Sequence, residues 1–201
     1  MRREGVTCRS KLLRFFMAAV TREPDTRVVK VPAGAVKEMA LRWGGGAGVA
    51  CVVWMVGLQL TGNNGFGPKQ ILAQLLVPLA AVTSQWLLRK KAQPNKPGLG
   101  AALGTGVLTA LLAAAISAVG VVGLAYGAGP PAVARHRAEV LEIVKAQQRE
   151  NPKTVAPRAV QEQQVAQVMH MTVGDMATSN FLQVLVLGLV LAVPAGIFLR
   201  E

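Results

Sequence analysis

Charged side chains are missing from four long stretches of this chain, and that gap carries most of what the sequence says. No Asp, Glu, Lys, Arg or His occurs in residues 43–60, 70–88, 103–126 or 181–199. Ionisable residues inside apolar runs usually mark ion pathways and proton relays, so their absence argues against a proton- or ion-coupled carrier. Aromatic residues are scarce too, at 4%. The basic runs lack interleaved aromatics and any recognisable motif, which argues against nucleic-acid binding. Cysteine occurs twice, Cys8 in a basic leader and Cys51 inside an apolar run. That gives neither a disulfide framework nor metal-type spacing. Gly-rich phosphate loops, Ser or Cys nucleophile elbows and zinc-protease helices are also missing. The expectation is a protein that is not an enzyme, with no catalytic residue, cofactor or resident metal.

What is present is hydrophobic. Ala, Val, Leu and Gly dominate, and the mean hydropathy is +0.39. About twenty apolar residues at about 1.5 Å rise cross a hydrocarbon core of about 30 Å. The uncharged run from Pro97 to Ala134 exceeds that length, and three further runs flank it. The fold class expected is an all-α integral membrane protein. It is a four-transmembrane-helix bundle with spans at 43–60, 70–88, 103–126 and 181–199. A polar helical hairpin over 132–180 lies outside the membrane, between the third and fourth spans. One helix over 133–149 ends at an Asn151-Pro152 break, and a second over 157–177 repeats Val165, Val168, Met169, Thr172 and Met176 at three and four. Residues 1–38 form a basic leader, either disordered or an interfacial helix around Lys11–Val20, and 39–201 form the membrane domain.

Charge gives the orientation. The net charge is +12, and Met1 to Arg42 carries ten Lys/Arg against four acids. Arg89, Lys90, Lys91 and Lys96 carry no acid among them, whereas residues 127–180 hold six bases and five acids. Basic charge beside hydrophobic spans is the positive-inside signal. Four spans then put both termini and the 89–96 loop in the cytoplasm, with the Asn63–Pro68 turn and the 130–180 hairpin facing outward. Arg42 with Trp43, and Trp86 with Arg89, have the cation and indole expected at the headgroup level.

Inside the spans, small residues recur at spacing four: Gly44 and Gly48, Gly100 and Gly104, Ala113 and Ser117, and Gly188, Ala192 and Gly196. Such faces let helices approach closely where lipid is as apolar as leucine. They predict helix packing, with the third span at the centre of the bundle. Pro78 and Pro194 predict kinks, and Gly129-Pro130-Pro131 stops the third span. The second span is the most polar. Its Gln74, Thr83 and Gln85 either bond across helices or line a polar pathway.

Outside the spans, His136 sits between Arg135 and Arg137 on what reads as a solvated helix. Neighbouring cations oppose a bound metal there. Met169, His170 and Met171 have copper-type chemistry. Consecutive helical residues point in different directions, so one helix cannot present all three. Asp175, just before the fourth span, complements the positive end of a helix dipole.

The order of features carries a resemblance. The chain has a start at Met39-Ala40-Leu41-Arg42-Trp43-Gly44, two spans joined by a turn, and a basic stretch closing the second. Lys96-Pro97-Gly98-Leu99-Gly100 then enters a third span, followed by a proline-marked exit at Pro130, a helical connection and a fourth span. This resembles the bacterial membrane family called domain of unknown function forty-one ninety-nine, over about residues 39–199. The likeness implies a four-span, multi-pass protein of the bacterial inner (cytoplasmic) membrane, and it transfers no functional residues. The functional expectation is an accessory or interaction protein, its partners being the bilayer and either another membrane protein or a second copy. The alternative is a small channel or transporter lined by Gln74, Thr83 and Gln85.

Overall fold

The computed structural model describes residues 28–29, 31–93, 96–150 and 158–199. The Lys11–Val20 segment, the Asn151-Pro152 break and Arg200 lie outside the described residues. Two short strands, β1 (Val28–Val29) and β2 (Lys96–Pro97), pair in parallel, one just before the first long helix and the other just before the third. The other elements are helical: α1 (Ala33–Leu60), a 3-10 turn (Pro68–Gln70), α2 (Ile71–Gln74), α3 (Leu76–Ala92), α4 (Leu99–Glu150), α5 (Arg158–Met169) and α6 (Val173–Phe198). Four helical segments are long and apolar enough to cross a membrane: α1, residues 68–92, α4 and α6.

Local chemistry explains most of the boundaries. Pro32 stands at the N-cap of α1 in extended conformation. Residues 33–38, expected in the leader, are therefore the first turns of α1. The second span is interrupted at Leu75 between α2 and α3. Pro78 has no N–H to give to the Gln74 carbonyl four residues back, and its ring crowds that oxygen. Pro194, by contrast, leaves α6 unbroken.

The expected stop after the third span is a bend at Gly129, with helix on both sides. A residue before proline is pushed out of the helical region. Gly129 takes φ 78° and ψ 179°, a combination open essentially to glycine alone. Pro130 then starts the second arm of α4, where its missing N–H costs nothing.

The connection before the last helix differs from expectation. A single helix across 157–177 is not formed: α5 ends at Met169, and α6 begins at Val173. Thr172 and Asp175 make a capping box at that start. The Asp175 N–H donates to Thr172 Oγ1 at 3.2 Å, and the Thr172 N–H donates to the Asp175 carboxylate at 2.8 Å. Two otherwise orphaned backbone donors are thereby satisfied. These bonds hold the Asp175 carboxyl below its ordinary pKa, the backbone donor contributing most.

Among the long helices, α3 and α4 form a middle pair, with α1 and α6 packed against both. The third span thus touches every other long helix, but it keeps one open face. One core layer is built from small side chains, among them Ala47, Cys51, Ala73, Ala80, Ala113 and Ala114. A second layer, nearer the 61–67 turn, joins Met55, Phe66, Val121, Val133 and Met176. The outside is the more apolar surface: Val53, Leu72, Leu79, Val119, Leu182 and Val190 are each more than half exposed. Ser84, Gln85, Thr105, Thr109 and Ser117 are buried. Polar-in and apolar-out over four long helices is the pattern that suits a multi-pass membrane protein.

Candidate functional site

Three polar ties run between the long helices. Nearest the 61–67 turn, the Gln74 side-chain amide donates to Asn180 Oδ1 at 3.1 Å, and Asn180 Nδ2 donates to Ser117 Oγ at 2.8 Å. One chain of bonds thereby links α2, α6 and α4. The Ser84 and Thr109 hydroxyls meet at 3.0 Å between α3 and α4. Gln85 Nε2 donates to the Ala192 carbonyl at 2.8 Å, linking α3 to α6. Interhelical bonds of this kind average about 0.6 kcal/mol each in a membrane, so they fix register more than they stabilise. Thr83 does not share that interior. It bonds back to the Leu79 carbonyl at 2.7 Å and opens onto a groove between α1 and α3. The three residues read as one polar lining therefore face two different places.

A crevice of about 240 Å³ lies at the end of the helices near the 61–67 turn, lined by Phe66, Gln70, His136, Met171, Asn180 and Gln183 among others. A smaller hollow of about 150 Å³ shares Phe66, Gln70, His136 and Gln183 with it and adds Glu139. The bend at Gly129 matters here, because it lets the second arm of α4 close onto the turn. Asn64 is the link. Its Nδ2 donates to Glu139 Oε2 at 2.6 Å and lies 3.2 Å from His136 Nδ1. Arg135 Nη1 donates to the Gly62 carbonyl at 3.0 Å.

His136, expected on a solvated face, is half-buried, with its ring 5.8 Å from that of Phe66. Desolvation lowers its pKa from 6.5, and Glu139 opposes that shift. The crevice offers amide and imidazole groups, and the hollow beside it adds the Glu139 carboxylate, which together suit the binding of a polar group. Met169, His170 and Met171 do not converge: Met169 is largely exposed on α5, while Met171 packs against the second core layer. Among the described residues no cluster of three metal-type ligands is present.

A family model described as a protein of unknown function, DUF4199, matches residues 42–201, most of the chain. The chain belongs to the DUF4199 family. That DUF4199 match takes in the turn, the crevice and all four long helices from Arg42 onward. No curated protein and no solved structure matches the chain.

The glycines fall into two groups. A Cβ on Gly44 would stand 2.6 Å from the Thr109 carbonyl oxygen, and one on Gly48 would stand 2.8 Å from Ile116 Cβ. One on Gly188 would meet Ala110 Cβ at 2.6 Å, and one on Gly196 would meet Leu103 Cδ2 at 2.5 Å. These four, with buried Ala113, Ser117 and Ala192, sit where α1 and α6 close onto α4. Gly100 and Gly104 behave differently, as do Gly123 and Gly127. A Cβ on any of these four would meet nothing within 4 Å. Spacing alone marks both groups equally.

Proposed function

We propose that this protein is a non-enzymatic, multi-pass component of the bacterial inner membrane, with both termini cytoplasmic, that acts by binding another membrane protein. The observation that carries the reading is the open lane on the first arm of α4. Gly100 and Gly104 lie one turn apart on one face of that helix, and a side chain at either would contact nothing around it. Each glycine costs roughly 0.5–1 kcal/mol relative to alanine in a helix and returns no packing inside the chain. A helix from a partner, seated on those glycines, would recover that loss through close backbone approach. The outward hairpin, built from the second arm of α4 with α5, adds a polar surface beside the crevice for the partner's extramembrane part.

Crosslinking in native membranes tests this. The wild-type chain is expected in a heteromeric product, and Gly100→Ile with Gly104→Ile is expected to lose that product while unfolding at no lower a temperature. Recovery of monomer alone from wild-type membranes would sink it.

A second reading, a small channel or transporter, has one observation in its favour. The Oε1 atoms of Gln74 and Gln85 are buried with no hydrogen-bond partner among the described residues, two acceptors that a permeant group would satisfy. Flux through liposomes that disappears in Gln74→Leu with Gln85→Leu would support it, and absence of flux in the wild type would remove it.

A further inference from the structure

The groove between α1 and α3 has the form of a site for one anionic phospholipid. It encloses about 660 Å³, within the roughly 300–1,000 Å³ of small-molecule sites. Its floor is small, made of Gly46, Ala47 and Ala80, and its walls are apolar, from Leu76, Leu79 and Leu87. Charge enters at one end only, through Arg42 and Lys91, with Trp43 beside them. From Lys91 to Leu76 the groove follows about 22 Å of helix. That is longer than one leaflet's hydrocarbon depth of about 15 Å.

The sequence puts the same end at the cytoplasmic headgroups, where Arg89 and Lys90 add to the positive potential. We infer that the groove holds an acyl chain along Leu79 and Leu76 while Arg42 and Lys91 hold the phosphate of an anionic headgroup. Charge complementarity chooses this occupant over a neutral lipid, because basic pockets between membrane helices on the cytoplasmic side select anionic headgroups. Among the described residues Arg42 has one acid within 4 Å, Glu38 at 3.8 Å, and both side chains are mostly exposed. Such a surface pair is weak, and a phosphate can replace it. Lys90 is a built-in control, since it carries the same charge one residue away but lies 5.4 Å over the Trp86 ring, outside the groove.

The inference rests on the membrane placement proposed above. The test uses the full chain, purified in detergent and examined by native mass spectrometry with phosphatidylglycerol or phosphatidylcholine of identical acyl chains. Phosphatidylglycerol should be retained preferentially, and Arg42→Gln with Lys91→Gln should weaken that retention roughly thirty-fold, about fivefold per charge. Leu79→Trp, which fills the groove without touching charge, should weaken it as well. Lys90→Gln should not.

Equal retention of the two lipids, or an equal loss in Lys90→Gln, would overturn the site. So would a photocrosslinker at Leu79 that captures residues 1–38 or a second copy in place of lipid. Recovery of the chain in the aqueous phase after carbonate washing would overturn the membrane placement along with it, before any lipid is added.

Discussion

His136, Gly129 and Thr172 show how single residues shape the crevice end of the molecule. Because the native pKa of His136 is lowered, the unfolded chain takes up more protons than the folded one as pH falls below about 6.5. Stability should therefore be flat above that pH and decline below it, gently, since the ring is only partly buried. Thermal unfolding from pH 7.5 to 5.0 should show the decline, and His136→Gln should flatten it. Gly129→Ala forces a side chain into backbone geometry that only glycine adopts freely, so it should cost roughly 1–3 kcal/mol in the same melting measurement. The second arm of α4 would then swing away from the 61–67 turn, and limited proteolysis should cut that turn faster. Thr172→Ala removes half of the capping box and should cost about 1 kcal/mol.

Whole helices were easier to foresee than their ends. The four apolar helices were legible because about twenty residues without a charge are rare outside a membrane span. The break near Pro78 and the one at Gly129 were legible because proline acts on its own neighbours. The start of α6 was not, although Thr172-x-x-Asp175 is a capping-box pattern. The apolar repeat through Val165, Val168, Met169 and Met176 ran across it and masked the boundary. Periodicity describes a face, and two helices in series can share one.

The crevice was hidden for a different reason. Asn64, His136 and Asn180 lie far apart in sequence, and flanking arginines made His136 look solvated. The glycines were visible as a class but not by role, since helical spacing cannot say which side of α4 a neighbour occupies. That division sets two substitutions against each other. Gly188→Leu drives a side chain into Ala110 and should lower stability by about 1–3 kcal/mol. Gly104→Leu, on the open lane, should leave the melting temperature of the isolated protein no lower than that of the wild type.

At the scale of the molecule, orientation is the expectation with the widest reach. Lys37, Arg42, Arg89, Lys90 and Lys91 gather at the end opposite the crevice. A cysteine at Asn63 should react with an impermeant thiol reagent added outside sealed cells, and one at Gln93 should react only after the membrane is opened. The reverse pattern would invert the proposed topology and put the crevice in the cytoplasm. The uncharged interior has one more consequence. Moving one elementary charge through 100 mV is worth about 2.3 kcal/mol, the energy by which voltage sensors work. Seated in an energised bilayer, the uncharged stretches 43–60, 70–88, 103–126 and 181–199 would present no such handle to the electric field, held together as they are by amides, hydroxyls and alanine contacts. A change in membrane potential should leave the arrangement of those stretches as it was.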